Sequence, residues 1–239
     1  MLRELEGRIA VVTGGSGGIG AAIVAALADR GATVVVFDLN APERRQFRKV
    51  DLTSPDDVTN AVEEVVAEYG RIDVLVNCAG HARHEALEEI TVDSWHEILE
   101  INLSAAFYAS RAAAPHMRRH GWGRIVNIGS EQALQGDPNL CHYTAAKAGL
   151  VSLTRSFAVE YAPEVTVNLV SPGPTATTKF RRGPHFSEDR MARLPLKRFG
   201  TPEEVALSVA FVVGPGGDVY TGQQLDPNSG ADLPMPARP

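Results

Sequence analysis

Little in this chain points to an oxidising compartment, a membrane or a nucleic acid. Only two cysteines, Cys78 and Cys141, occur in 239 residues. They make no disulfide framework and have no metal-ligand spacing, so no metal site is expected. Both thiols read as buried filler, and a reducing cytoplasm is the simplest compartment. No apolar run reaches membrane-spanning length, and the charged segment 1–8 has no signal-peptide core. The formal net charge of −6 argues against the basic surface that a nucleic-acid partner requires. No repeat, linker or compositional break divides the chain. Residues 1–239 therefore read as one α/β domain, long enough for a substantial core.

What the chain does have is glycine in one place. Thr13-Gly14-Gly15-Ser16-Gly17-Gly18-Ile19-Gly20 follows the apolar run Ile9-Ala10-Val11-Val12 and opens onto an alanine-rich helical pattern at 21–27. Strand, glycine turn and helix together make a phosphate site. Backbone N–H groups at a helix N-terminus are unpaired and partly positive, and glycine lets a pyrophosphate come close to them. Without that setting the same glycines would be a flexible turn.

A second β-branched run, 33–37, ends at Asp38, eighteen positions after Gly20. That is near the spacing at which a carboxylate meets the ribose of a dinucleotide's adenosine. Asp38 would accept hydrogen bonds from the ribose hydroxyls and repel a 2′-phosphate, which favours NAD over NADP. Further strands are expected at 46–50, 72–76, 123–129, 165–170 and 220–225. A polar connection is expected at 40–45, and helices at 54–69, 92–120, 143–161 and 201–213, the second interrupted near Asn102. Ser54-Pro55 and Thr201-Pro202-Glu203-Glu204 are helix-start signals. Residues 131–140 read as a surface turn, 175–194 as polar and mobile, and the end of the chain as a Pro-rich tail. The alternation of strands and helices means a Rossmann-type, doubly wound parallel sheet of about seven strands with helices on both faces. In the helix at 143–161, Tyr143 and Lys147 are four apart and share a face, a reactive pair or a surface pair. His81 and His84 have no third ligand nearby and read as solvated.

Thr13-Gly14-x-x-x-Gly18-x-Gly20, Asn77-Cys78-Ala79-Gly80, Asn102, Ser130, Tyr143-x-x-x-Lys147 and Pro172-Gly173, in this order, resemble the short-chain dehydrogenase/reductase family. The likeness runs over about 7–225 and includes the segments 196–206 and 220–223. It implies that Asn102, Ser130, Tyr143 and Lys147 form a catalytic tetrad. It also implies that Gly14, Gly18, Ile19 and Gly20 hold the pyrophosphate, and that Asp38 holds the ribose. Asp51 and Leu52 would meet the adenine, and Asn77, Ala79 and Gly80 the adenosine side. Pro172, Gly173, Thr175 and Thr177 would lie at the nicotinamide end, with Tyr143 and Lys147 also touching the cofactor. The chemistry explains the residue types. A tyrosine with a reference pKa of about 10 needs a neighbouring cation to act as a base near neutral pH. Serine can donate to the substrate oxygen.

The chain also departs from the family's pattern. Cys78 stands where a second asparagine is usual, and Asp226-Pro227-Asn228-Ser229-Gly230 replaces an acid-glycine-glycine ending. Glu131-Gln132 stand where small or apolar residues are usual. Two readings of that pair stay open, a polar substrate pocket or solvent exposure. Glu131, Gln132 and His142, in the variable loop 131–142, are the candidate substrate-binding residues. Residues 177–195 are the candidate lid, with Lys179, Arg181 and Arg182 either receiving an acidic substrate or simply solvated. The resulting expectation is an NAD-dependent oxidoreductase interconverting a secondary alcohol and a ketone, cyclic or a diol. The alternatives are an NADP-dependent ketoreductase and a non-catalytic dinucleotide sensor. The partners expected are a small-molecule alcohol or ketone, no nucleic acid and no membrane, with assembly as a homotetramer or homodimer.

Overall fold

Two apolar layers, one on each face of a parallel sheet, account for most of the buried residues. The computed structural model describes residues 3–41 and 46–233. Residues 42–45 of the predicted polar connection and 234–239 of the Pro-rich tail lie outside the described residues. The strands are β1 (Ile9–Thr13), β2 (Thr33–Asp38), β3 (Gln46–Lys49), β4 (Val74–Asn77), β5 (Gly123–Ile128), β6 (Val165–Val170) and β7 (Gln224–Leu225). Their order is β3-β2-β1-β4-β5-β6-β7, and every pairing is parallel. The winding reverses between β1 and β4, and a crevice opens there beyond the carboxyl ends of the strands.

The helices are α1 (Gly18–Asp29), α2 (Pro55–Tyr69), α3 (Val92–Leu99), α4 (Ala105–Arg119), α5 (Gln132–Gln135), α6 (Cys141–Tyr161), α7 (Thr178–Arg181), α8 (Glu188–Arg193) and α9 (Pro202–Val213). Local chemistry sets their ends. The Ser54 side chain accepts from the Asp57 N–H and Pro55 opens α2, which stops at Gly70 in the left-handed conformation. Thr201 and Glu204 form a reciprocal capping box on α9. Strand residues alternate between the two layers, as the period of two demands. Val11, Val35, Leu75, Ile125 and Val167 pack with α2, α4 and α6. Ala10, Val12, Val34, Val36, Val76 and Val126 pack with α1 and α9.

The helix predicted at 92–120 is interrupted at Asn102 as expected: α3 and α4 are joined there by a π-helical turn, Glu100–Ser104. Other expectations change in detail. The predicted surface turn carries α5, and the predicted irregular stretch 175–194 carries α7 and α8. The last strand is only two residues long, because residues 220–223 turn before joining the edge.

Candidate active site

The turn after β1 is shaped by its glycines. Gly14 has φ +67°, and a Cβ there would sit 2.7 Å from the Ala79 Cα. A Cβ on Gly20 would fall on the Gly14 carbonyl oxygen. Helix α1 has Gly17 at its N-cap, with no side-chain cap and no acidic residue in its first turn. Its leading N–H groups thus have no side-chain acceptor and suit an anion. The Thr13 hydroxyl accepts the N–H groups of Cys78 at 3.1 Å and Ala79 at 3.2 Å, tying the end of β1 to the end of β4. At the tip of β2, Asp38 accepts from Ser16 N at 3.2 Å and Asn40 N at 3.1 Å. The Asp51 carboxyl accepts the hydroxyl and N–H of Thr53, which hold it below its usual range.

One cavity of about 980 Å³ joins these parts. Its wall includes Gly14, Gly18, Ile19, Gly20, Asp38, Asp51, Leu52, Ala79 and Gly80. It also includes Asn102, Ser130, Glu131, Gln132, Tyr143, Lys147, Pro172, Gly173, Thr175 and Thr177. The residues present fit a dinucleotide. A bare helix N-terminus faces the cavity, only glycine allows the close backbone approach, and a carboxylate is fixed at the end of β2.

At the other end, strand and helix deliver the reactive side chains. Ser130 follows β5, and Tyr143 and Lys147 lie on the first turns of α6. Burial pushes the Tyr143 phenol up to about 12; a hydrogen bond from Ser130 works against this and the Glu131 carboxylate adds to it. The same burial pushes the Lys147 ammonium down to about 8. Its Nζ donates to the Ile128 carbonyl at 2.9 Å and stands 5.7 Å from the Tyr143 ring centroid. Desolvation dominates at Tyr143, so the phenol is protonated at neutral pH in the protein alone. Asn102 donates to the carbonyls of His81 and Ile98, both at 3.0 Å, while its Oδ1 is buried without a partner.

Two predicted site residues do not reach the cavity. Asn77 is turned to the other face of β4, where its Nδ2 donates to Asn127 Oδ1 at 2.8 Å and Ser110 Oγ at 3.0 Å. Asn127 in turn donates to Thr154 Oγ1 at 2.9 Å. Asn77 therefore pins β4, β5, α4 and α6 together, and Cys78, one residue on, faces the opposite layer. His142 is fully buried. Its Nε2 lies 3.2 Å from Glu85 and its Nδ1 accepts from Tyr143 N, so it fixes the 81–90 loop instead of facing substrate. Cys141 is exposed, not buried filler; burial pushes the Cys78 thiol up to about 12.

The cavity wall also holds residues that carried no clear sequence signal. His81 and His84, read as solvated, line it, and His84 stacks on His185 with ring centroids 4.6 Å apart. Arg190 on α8 lines it as well, with Lys179 and Arg182. A helix of six residues such as α8 has no periodicity that could have announced Arg190.

Comparison with known proteins gives a consistent picture. A family model described as enoyl-(acyl carrier protein) reductase matches residues 14–232. The chain is 38% identical over 238 residues to cis-4-hydroxycyclohexanecarboxylate dehydrogenase of Sinomonas cyclohexanicum, covering 93% of this chain and 96% of that one. It is 34% identical over 242 residues to a 3-oxoacyl-(acyl-carrier-protein) reductase of Thermotoga maritima, covering 95% and 98%. Among solved structures, aldohexose dehydrogenase of Thermoplasma acidophilum superposes with a TM-score of 0.93 at 31% identity, covering 100% and 99%.

Proposed function

The chain belongs to the short-chain dehydrogenase/reductase family, and from this we propose an NAD-dependent oxidoreductase that interconverts a secondary alcohol and its ketone. The observation that carries the reading is the convergence of Ser130, Tyr143 and Lys147 on the same cavity as the glycine turn and Asp38. The cyclic-alcohol dehydrogenase among its relatives favours a cyclic substrate, as do the short connection after Asp38 and the Ser171–Thr175 sequence.

Gly14, Gly18, Ile19 and Gly20 would hold the pyrophosphate and Asp38 the adenosine ribose. Asp51, Leu52, Ala79 and Gly80 would take the adenosine, and Pro172, Gly173, Thr175 and Thr177 the nicotinamide end. The bound dinucleotide supplies or accepts the hydride. The protein moves the proton. In reduction, the Tyr143 hydroxyl donates to the substrate oxygen while Ser130 steadies the developing charge. In oxidation the phenolate takes the proton. Lys147, at about 8, is still mostly protonated at pH 7, and its charge favours that phenolate. Lys147 would also hold the nicotinamide ribose, and Asn102 would help hold a water that relays the proton.

Asp38 supports NAD, since a carboxylate fixed by two N–H groups repels a 2′-phosphate. None of the described cavity residues around it is basic. A second reading, an NADP-dependent ketoreductase, draws on the reductases among the relatives and on Arg44 and Arg45, which follow β2 outside the described residues. Comparing kcat/KM with NAD+ and NADP+ decides between them, and an NADP+ preference sinks the first. The reading includes one domain with residues 177–195 as a moving lid. It also includes a reducing cytoplasm, in keeping with two unpaired thiols, and a homotetramer or homodimer joined through α4 and α6.

A further inference from the structure

Among the described residues, Glu131 is the one acidic side chain placed against the reacting groups, and the chemistry above gives it no task. Its backbone N–H donates to the Pro172 carbonyl at 3.2 Å, which ties the residue to the loop after β6. Its Oε2 lies 3.4 Å from the Ser130 hydroxyl, which donates to it. The carboxyl lines the cavity, and burial pushes it up to about 7, with Arg190 on α8 the nearby cation acting on it. No salt bridge to it is found among the described residues. Its neighbour Gln132 is already engaged. Its N–H donates to Ser130 Oγ at 3.3 Å and its side-chain amide to Asp137.

This creates a conflict over one proton. Ser130 has a single hydroxyl hydrogen. A substrate oxygen needs it during reduction, yet at rest Glu131 Oε2 and the Tyr143 phenol both compete for it. If a substrate with only one oxygen takes the proton, the half-buried Glu131 carboxyl loses that donor, and whatever part of it the bound substrate shields from water is left unpaired, which is costly. A substrate with a hydroxyl on the adjacent carbon resolves the conflict, because that hydroxyl donates to Glu131 and releases Ser130 to the reacting oxygen. Sites with a buried group that must be paired reject analogues lacking the partner far more strongly than apolar pockets do.

We propose that Glu131 is a specificity-determining residue that accepts a hydrogen bond from a hydroxyl vicinal to the reacting carbon, so that the enzyme selects vicinal diols and α-hydroxyketones over simple alcohols and ketones. The proposal rests on the oxidoreductase reading above, and its test separates the two. Matched pairs of vicinal diol and monoalcohol, on cyclic and linear carbon skeletons, are oxidised with NAD+ by the wild type, Glu131→Ala and Glu131→Gln. NADH binding is titrated by fluorescence for each. The wild type prefers the diol, by roughly tenfold or more in kcat/KM, the factor one hydrogen bond to a charged group carries. Glu131→Ala lowers the diol-to-monoalcohol ratio by roughly that factor, chiefly through the diol's KM, with NADH affinity kept. Glu131→Gln, which keeps an acceptor but no charge, falls between the two, and it decides alone where the alanine variant binds no NADH. A ratio unchanged within about threefold in a variant that binds NADH overturns the Glu131 assignment and leaves the oxidoreductase reading standing. A wild type that binds NADH but neither oxidises any of the alcohols nor reduces their ketones overturns both.

Discussion

At the scale of single residues, burial decides more than proximity. Tyr143 stands near Lys147 and is still pushed up to about 12, because desolvation dominates there and the Glu131 carboxylate adds to it. A phenol so placed stays protonated at neutral pH and ionises only when further positive charge arrives. Tyr143→Phe is expected to lower turnover by roughly 10²–10⁴-fold, the usual span for one acid/base group. NADH affinity, read by fluorescence titration, is expected to change little; full turnover in this variant would remove Tyr143 from the mechanism. Glu131 gives a stability prediction with a definite sign. Its folded pKa of about 7 lies above the ordinary glutamate value of 4.5, so the folded state binds more protons than the unfolded one between those values. Stability from this group is therefore full below about pH 4.5 and lost as the pH rises through about 7. Glu131→Gln is neutral throughout and escapes that loss. Calorimetry is expected to show the variant more stable at pH 8 by on the order of 2–3 kcal/mol, with the gap closing by pH 5. Equal melting temperatures at both pH values would refute the shift.

At the scale of elements, the sequence carried most of the information wherever a local rule applied. The glycine turn, the Ser54 and Thr201 helix starts and the apolar runs of β1, β2, β5 and β6 all stand where the residues placed them. Side-chain direction was harder to read. Asn77 belongs to a motif expected beside a cofactor, yet strand alternation puts it on the face of Leu75, toward α4. His142 neighbours Tyr143, but one step along a helix is about 100° of rotation, which sends it toward Glu85. The helices α7 and α8, four and six residues long, are too short to show periodicity. Two changes test the element-level account. Gly20→Ala forces a Cβ onto the Gly14 carbonyl, so the turn must open; NADH affinity is expected to fall at least tenfold, and unchanged affinity would show that the turn does not hold the dinucleotide. Thr201→Ala removes half of the capping box and is expected to cost about 1 kcal/mol, or roughly 2–4 °C in Tm.

At the scale of the whole molecule, one topological fact organises the rest. The sheet reverses its winding between β1 and β4, and everything proposed for the site lies along the crevice that this opens. Asp38 fixes one end of that crevice, while Ser130, Tyr143 and Lys147 fix the other. No helix among the described residues is long and apolar enough to cross a membrane. Phe107 on α4 and Val159 on α6 are exposed, and a shallow groove between these helices is lined by Leu103, Phe107 and Leu153. Pairing of two copies there would cover it. Light scattering is expected to report a dimer or tetramer, and Phe107→Glu to shift it toward monomer. The central claim is that Asp38 and the Ser130, Tyr143 and Lys147 group make an NAD-dependent alcohol oxidoreductase. Its most direct test is the initial rate of NADH or NADPH formation, at 340 nm, from a secondary-alcohol panel with NAD+ and with NADP+. The account predicts turnover with kcat/KM at least roughly tenfold higher for NAD+, since each tenfold is about 1.4 kcal/mol of transition-state binding. An equal or greater efficiency with NADP+, or no turnover with either, would contradict it.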